Sequence, residues 1–124
     1  MDILKGLLID PENQTITEVD VYPDRDGESH LSSMYSHLNC TQVYLARDIL
    51  SFLPSGPADD VWFDEEGNYS GCLYMFQIPG YIPLIGKGLI LGYDNMGRST
   101  SHTLTPVDIN LLRSRISYYK RENN

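Results

Sequence analysis

The chain has 124 residues, 41% of them apolar, and a formal charge of -8. That length suits one domain, 1–124, with one core of modest size. It excludes a coiled coil, a collagen-like repeat and simple disorder. No apolar run reaches the roughly 18 residues of a membrane span, and the opening Met1–Gly6 lacks a secretion-signal pattern. The expectation is a soluble cytoplasmic protein with no membrane partner.

The elements follow in chain order. Ile3–Ile9 reads as a strand, and Asp10-Pro11-Glu12-Asn13 as a turn. Thr15–Tyr22 alternates with period two and is β-branched, so it reads as the return strand of a hairpin. After a polar loop, Leu31, Met34, Tyr35 and Leu38 mark one face of a helix over Ser29–Leu38, with Asn39 as its stop. Thr41–Ala46 reads as a strand. Arg47–Asp60, broken by Pro54, Gly56 and Pro57, reads as a short helical turn or an irregular loop on the sheet. Val61–Phe63 is a short strand, and Tyr69–Gln77 extends again. An apolar loop over Gly80–Gly88 leads into the strand Leu89–Tyr93. Asp94-Asn95-Met96-Gly97 is a hairpin turn, since Asn and Gly tolerate positive φ, and Arg98–His102 returns from it. Thr105, Pro106 and Asp108 form a helix start, with Ile109, Leu112, Ile116 and Tyr119 as its inner face. The expected fold is α+β: an antiparallel β-sheet of about five or six strands with two helices packed on one face.

Charge is unevenly distributed. Residues 1–66 hold fourteen acids and three bases, a balance of -11, and residues 67–124 hold three acids and six bases, a balance of +3. The acidic half repels a nucleic-acid backbone, so no direct nucleic-acid binding is expected. The basic remainder suits a small anion, and the acidic half either docks on a basic partner or simply keeps the chain soluble.

Motifs for bond-making chemistry are missing. There is no GxSxG elbow to go with His30, His37 and His102. Gly86-Lys87-Gly88 lacks the first glycine and the Ser/Thr of a phosphate loop. Asp59-Asp60 and Asp64-Glu65-Glu66 read as solvated acids at turns, and Asp24–Glu28 lacks the register of a calcium loop. His37 and Cys40 have ligand-like spacing, but no second cluster completes a zinc site. Cys40 and Cys72 read as two reduced, largely buried thiols, with a single bridge between them as the alternative. No metal, cofactor or catalytic residue is expected. Nine tyrosines supply flat apolar faces with a hydroxyl, for stacking a base, for an interface or for the rim of the core. The apolar stretch Tyr74–Ile85 either covers the core or forms a self-association surface.

Ile9-Asp10-Pro11 with Thr15–Val19, Val61–Gly67, and Gly86–Gly97 followed by Leu104–Ile109 together resemble a small domain-of-unknown-function family of phages, prophages and mobile elements. In that family an acid-and-glycine turn precedes a Ser/Thr-capped final helix, and it has no accepted catalytic residues. A weaker likeness is to the anti-Thoeris nucleotide sponges of phages. The resemblance implies a non-enzymatic counter-defence protein in the host-cell cytoplasm that sequesters a nucleotide-derived, cyclic immune signal. Under that reading Arg98 and Arg113 or Arg115 meet phosphates, and Tyr93 or Tyr81 stacks a base. Asp94 or Asn95 accepts from ribose or base, and a homo-oligomer formed through residues 74–85 builds the pocket. The alternative is an acidic inhibitor of a host restriction or CRISPR protein, acting through Asp20, Asp24, Asp26, Glu28, Asp59, Asp60, Asp64, Glu65 and Glu66.

Overall fold

The computed structural model describes residues 2–27, 29–67 and 71–122. Among the described residues nine strands, two helices and the short 3-10 turn η1 (Gly56–Ala58) make an α+β fold. The principal sheet is antiparallel throughout. Its path runs β2 (Thr15–Val21), β1 (Leu4–Asp10), β7 (Gly88–Tyr93), β4 (Asp59–Asp64) and β3 (Val43–Ala46), and β8 (Ser99–Thr100) pairs with β7 as the sixth strand. A second small sheet runs β6 (Leu84–Ile85), β5 (Tyr74–Gln77), β9 (Ser117–Lys120), also antiparallel. Among the described residues no helix is long and apolar enough to cross a membrane.

The first hairpin forms as its sequence predicts, in register Leu4 opposite Val21 through Asp10 opposite Thr15. Asp10 builds the turn: its Oδ1 accepts the amides of Glu12 (3.0 Å) and Asn13 (3.3 Å). The first helix, α1 (Leu31–Leu38), ends as expected at Asn39, which adopts a left-handed conformation with φ 57°. Its start is capped from a distance by Asp24, whose Oδ1 accepts the Ser32 amide at 3.1 Å. The second helix, α2 (Pro106–Arg115), opens on a reciprocal capping box between Thr105 and Asp108.

The two helices do not share a face. Met34 and Leu38 of α1 pack with Leu4, Val21, Leu89 and Leu91, whereas Leu112 of α2 and Ile116 pack with Leu7, Ile9, Ile16, Val61 and Ile90. The small sheet joins the α2 side through Phe76, Ile78 and Leu84. The reason lies in β7, where Leu89, Ile90 and Leu91 are all fully buried. A central strand that is apolar on both sides needs cover on both sides. The molecule is therefore three layers: α1, the principal sheet, then α2 with the small sheet.

Three further expectations are corrected. Tyr119 and Lys120 are not helical: α2 ends at Arg115, and residues 117–120 form β9 against β5. Asp59 and Asp60 are not solvated turn acids but buried positions in β4. Gly80–Gly88 is not loop throughout, since Leu84 and Ile85 form β6 and Gly88 opens β7, while Tyr74–Ile85 covers the core through Phe76, Ile78 and Leu84. The start of the extension expected over Tyr69–Gln77 lies outside the described residues.

Candidate functional site

A large concave feature built from several elements lies on the α1 side, between the start of that helix, the residues leading into β1, and the β7–β8 hairpin. It is an open groove of about 870 Å³. Trp62 contributes from β4, its ring beside the Leu89–Leu91 cluster, and Met34 and His30 contribute from α1 and the residue before it. Arg98 and Asp94 stand on the hairpin side, with Ser29 and Ser99–Ser101 supplying hydroxyls.

Each wall is fixed by local chemistry. His30 is buried, and its Nε2 bonds Asp2 O at 3.0 Å, which ties the chain start to the helix start. The Lys5 amide donates to Ser101 Oγ at 2.9 Å and the His102 amide donates to Lys5 O at 2.9 Å, so the segment after β8 lies along β1. In the hairpin, Asp94 Oδ1 accepts the amides of Met96 and Arg98, each at 2.9 Å, and Oδ2 accepts Arg98 Nε at 3.0 Å. The Arg98 amide first, then that of Met96 and the guanidinium, hold the Asp94 carboxyl below the usual carboxylate range. Arg98 meets Asp94 through Nε, and its side chain is otherwise largely exposed.

Behind this wall lie the acids the sequence placed at turns. Asp59 is fully buried and its carboxylate accepts the Thr103 amide (2.9 Å to Oδ2) and the Thr103 hydroxyl (3.1 Å). Burial pushes its carboxyl above the ordinary value, against the pull of those hydrogen bonds. Asp60 is buried beside Arg47 at 3.7 Å, and burial likewise raises it. Both fasten the sheet to its surrounding loops. His102 bonds Glu18 at 3.0 Å through Nε2. His30 and His37 both spend Nε2 on backbone carbonyls, Asp2 O and Asp20 O. No group of three metal-binding side chains occurs among the described residues.

Of the seven residues the sequence singled out, Asp94 and Arg98 come together in the groove. Tyr93 lines a smaller pocket beside the groove, together with Trp62 and Ser99, and there its hydroxyl donates to Pro57 O at 2.9 Å and its ring lies 5.8 Å from the Arg47 guanidinium. Asn95 is exposed at the hairpin tip. Tyr81 packs against the core on the α2 side. Arg113 reaches Ile16 O at 2.8 Å from α2, and Arg115 is exposed at the end of that helix. The sheet separates Tyr81, Arg113 and Arg115 from the groove. Trp62 and His30 were not among those seven. The signal for Trp62 is the even-odd alternation of Val61-Trp62-Phe63, which sends the single tryptophan to the face opposite Val61.

Comparison with protein-family models, with curated proteins and with solved structures finds no match.

Proposed function

We propose that this chain is a binding protein, not an enzyme, and that it holds a small nucleotide-derived ligand in the groove between α1 and the β7–β8 hairpin. The carrying observation is the pairing of Trp62 with Arg98 across one groove of about 870 Å³. Trp62 supplies the aromatic face on which a base stacks. Arg98, pre-oriented by Asp94, presents a planar pair of donors to one phosphate. The serine and threonine hydroxyls and His30 suit ribose and base edges. Arg98 is the single arginine or lysine among the lining residues, and Asp2 and Asp94 lie there too. That balance favours a cyclic nucleotide of low charge over a nucleoside triphosphate. In a phage or mobile-element setting such a protein removes a cyclic nucleotide signal from host defence by mass action.

The single tryptophan makes the test direct. Cyclic dinucleotides and cyclic ADP-ribose isomers are titrated by calorimetry and by Trp62 fluorescence. One of them gives saturable heat and quenching together, and Arg98→Ala weakens it tenfold or more. No heat with any member at tens of micromolar protein overturns the reading.

A further inference from the structure

The edges of the two sheets are treated unequally. Along β2 and the residue after it, three outward backbone groups are covered, from both faces of the sheet. Arg113 of α2 donates to Ile16 O at 2.8 Å. On the other side, His37 Nε2 bonds Asp20 O at 2.6 Å, and Ser33 Oγ accepts the Tyr22 amide at 3.0 Å. Such cover closes an edge to further pairing. The opposite edge, β3, and the β9 edge of the small sheet have no such cover. Among the described residues no strand pairs with their outer sides and no side chain bonds their outward backbone groups. The Arg121 amide donates to Leu73 O at 2.7 Å, which turns residues 117, 119 and 121 toward β5. The N–H and C=O groups of Tyr118 and Lys120 therefore face outward.

These two open edges match. Both are four residues long. The β9 edge is basic, with Arg115, Lys120 and Arg121 against the one acid Glu122. The start of β3 is acidic: Val43 lies opposite Asp64, the Glu65 amide donates to Gln42 O at 3.1 Å, and Glu65 and Glu66 are exposed. Pairing β9 with β9 instead brings the cations of two copies together.

We propose that β9 of one copy adds antiparallel to β3 of a second copy, with Lys120 and Arg121 beside Glu65 and Glu66. The contact is head-to-tail. Each added copy leaves one open β3 and one open β9, so assembly continues into a ring or a chain. The chain's overall charge of -8 opposes close approach, so association appears only as concentration rises. This surface is separate from the ligand groove and stands or falls independently of it.

Sedimentation velocity of the full chain over a concentration series is the test. The mean mass rises above that of one chain as concentration increases. Lys120→Glu with Arg121→Glu holds the protein as single copies, and so does Glu65→Lys with Glu66→Lys. Mixing the two charge-reversed proteins restores association, because each then complements the other. Wild-type hydrogen exchange supplies a readout free of any folding defect: the Tyr118 and Lys120 amides slow with concentration. Wild-type protein that stays single throughout overturns the proposal. Association that survives both reversals, or exchange at Tyr118 and Lys120 indifferent to concentration, also overturns it.

Discussion

Replacing Asp108 by alanine removes the junction that anchors α2. The residue is 1% exposed, and its carboxylate accepts the Thr105 amide (2.8 Å), the Thr105 hydroxyl (2.9 Å) and the Ser55 amide (3.2 Å). Losing the reciprocal half of the cap costs about 1 kcal/mol. The half-buried Ser55 amide then loses its acceptor, which adds about 1–2 kcal/mol. The sum is about 2–3 kcal/mol, or a fall in Tm of about 10 °C for a domain of this size. Urea denaturation followed by circular dichroism measures it. Asp108→Asn keeps one carbonyl acceptor and loses about half as much. The pH dependence has a definite sign. Burial works against the Asp108 charge, but the hydrogen bonds from Thr105 and Ser55 outweigh it and hold the carboxyl below its ordinary 3.8. The stabilisation is then complete above that value and disappears as pH falls through the lower folded one. The gap between wild type and Asp108→Ala therefore narrows in acid. An alanine variant within about 0.5 kcal/mol of wild type at neutral pH, the range of an ordinary surface substitution, refutes the reasoning.

Three further outcomes follow from the same geometry. A Cβ on Gly88 stands 2.6 Å from Phe76 Cζ and 3.3 Å from Val61 Cγ1, so Gly88→Ala overpacks the core and costs about 1–3 kcal/mol by chemical denaturation. Asp59 behaves oppositely to Asp108: its folded value is raised, so its ionisation weakens the fold as pH rises from 3.8 through that value. Across that interval the stability of wild type, minus that of Asp59→Asn, declines and then levels, which pH-resolved urea titrations measure. Arg113→Ala loses one hydrogen bond to the β2 edge, about 1 kcal/mol. Because Arg113 lies across the sheet from the groove, that variant leaves ligand heat unchanged in the calorimetric titration.

Much of the fold was written in short-range signals. The period-two run Thr15–Val21, the Asp94–Gly97 turn and the Thr105-Pro106-x-Asp108 helix start each depend on neighbours within a few residues, and each forms where its pattern lies. Asn39 ends α1 for the same reason: its left-handed conformation is a property of the residue itself. Half of the candidate groove was legible in this way, because the hairpin turn carries Asp94 and Arg98 together.

The rest depended on partners distant in the chain. The spacing Ile109, Leu112, Ile116, Tyr119 continues a helical face. Yet residues 117–120 form a strand, because β5 offers an edge about forty residues away. Asp59 and Asp60 are polar by sequence and buried by position, held there by Thr103, Asp48 and Arg47. No local pattern states which face of the sheet a helix covers. That choice placed Trp62 and His30 beside Arg98 and sent Tyr81, Arg113 and Arg115 to the other side. Residue type and near-neighbour spacing determine where the backbone turns, caps and extends. Which of those pieces meet is decided by burying β7 on both faces at once, a condition that exists only in three dimensions.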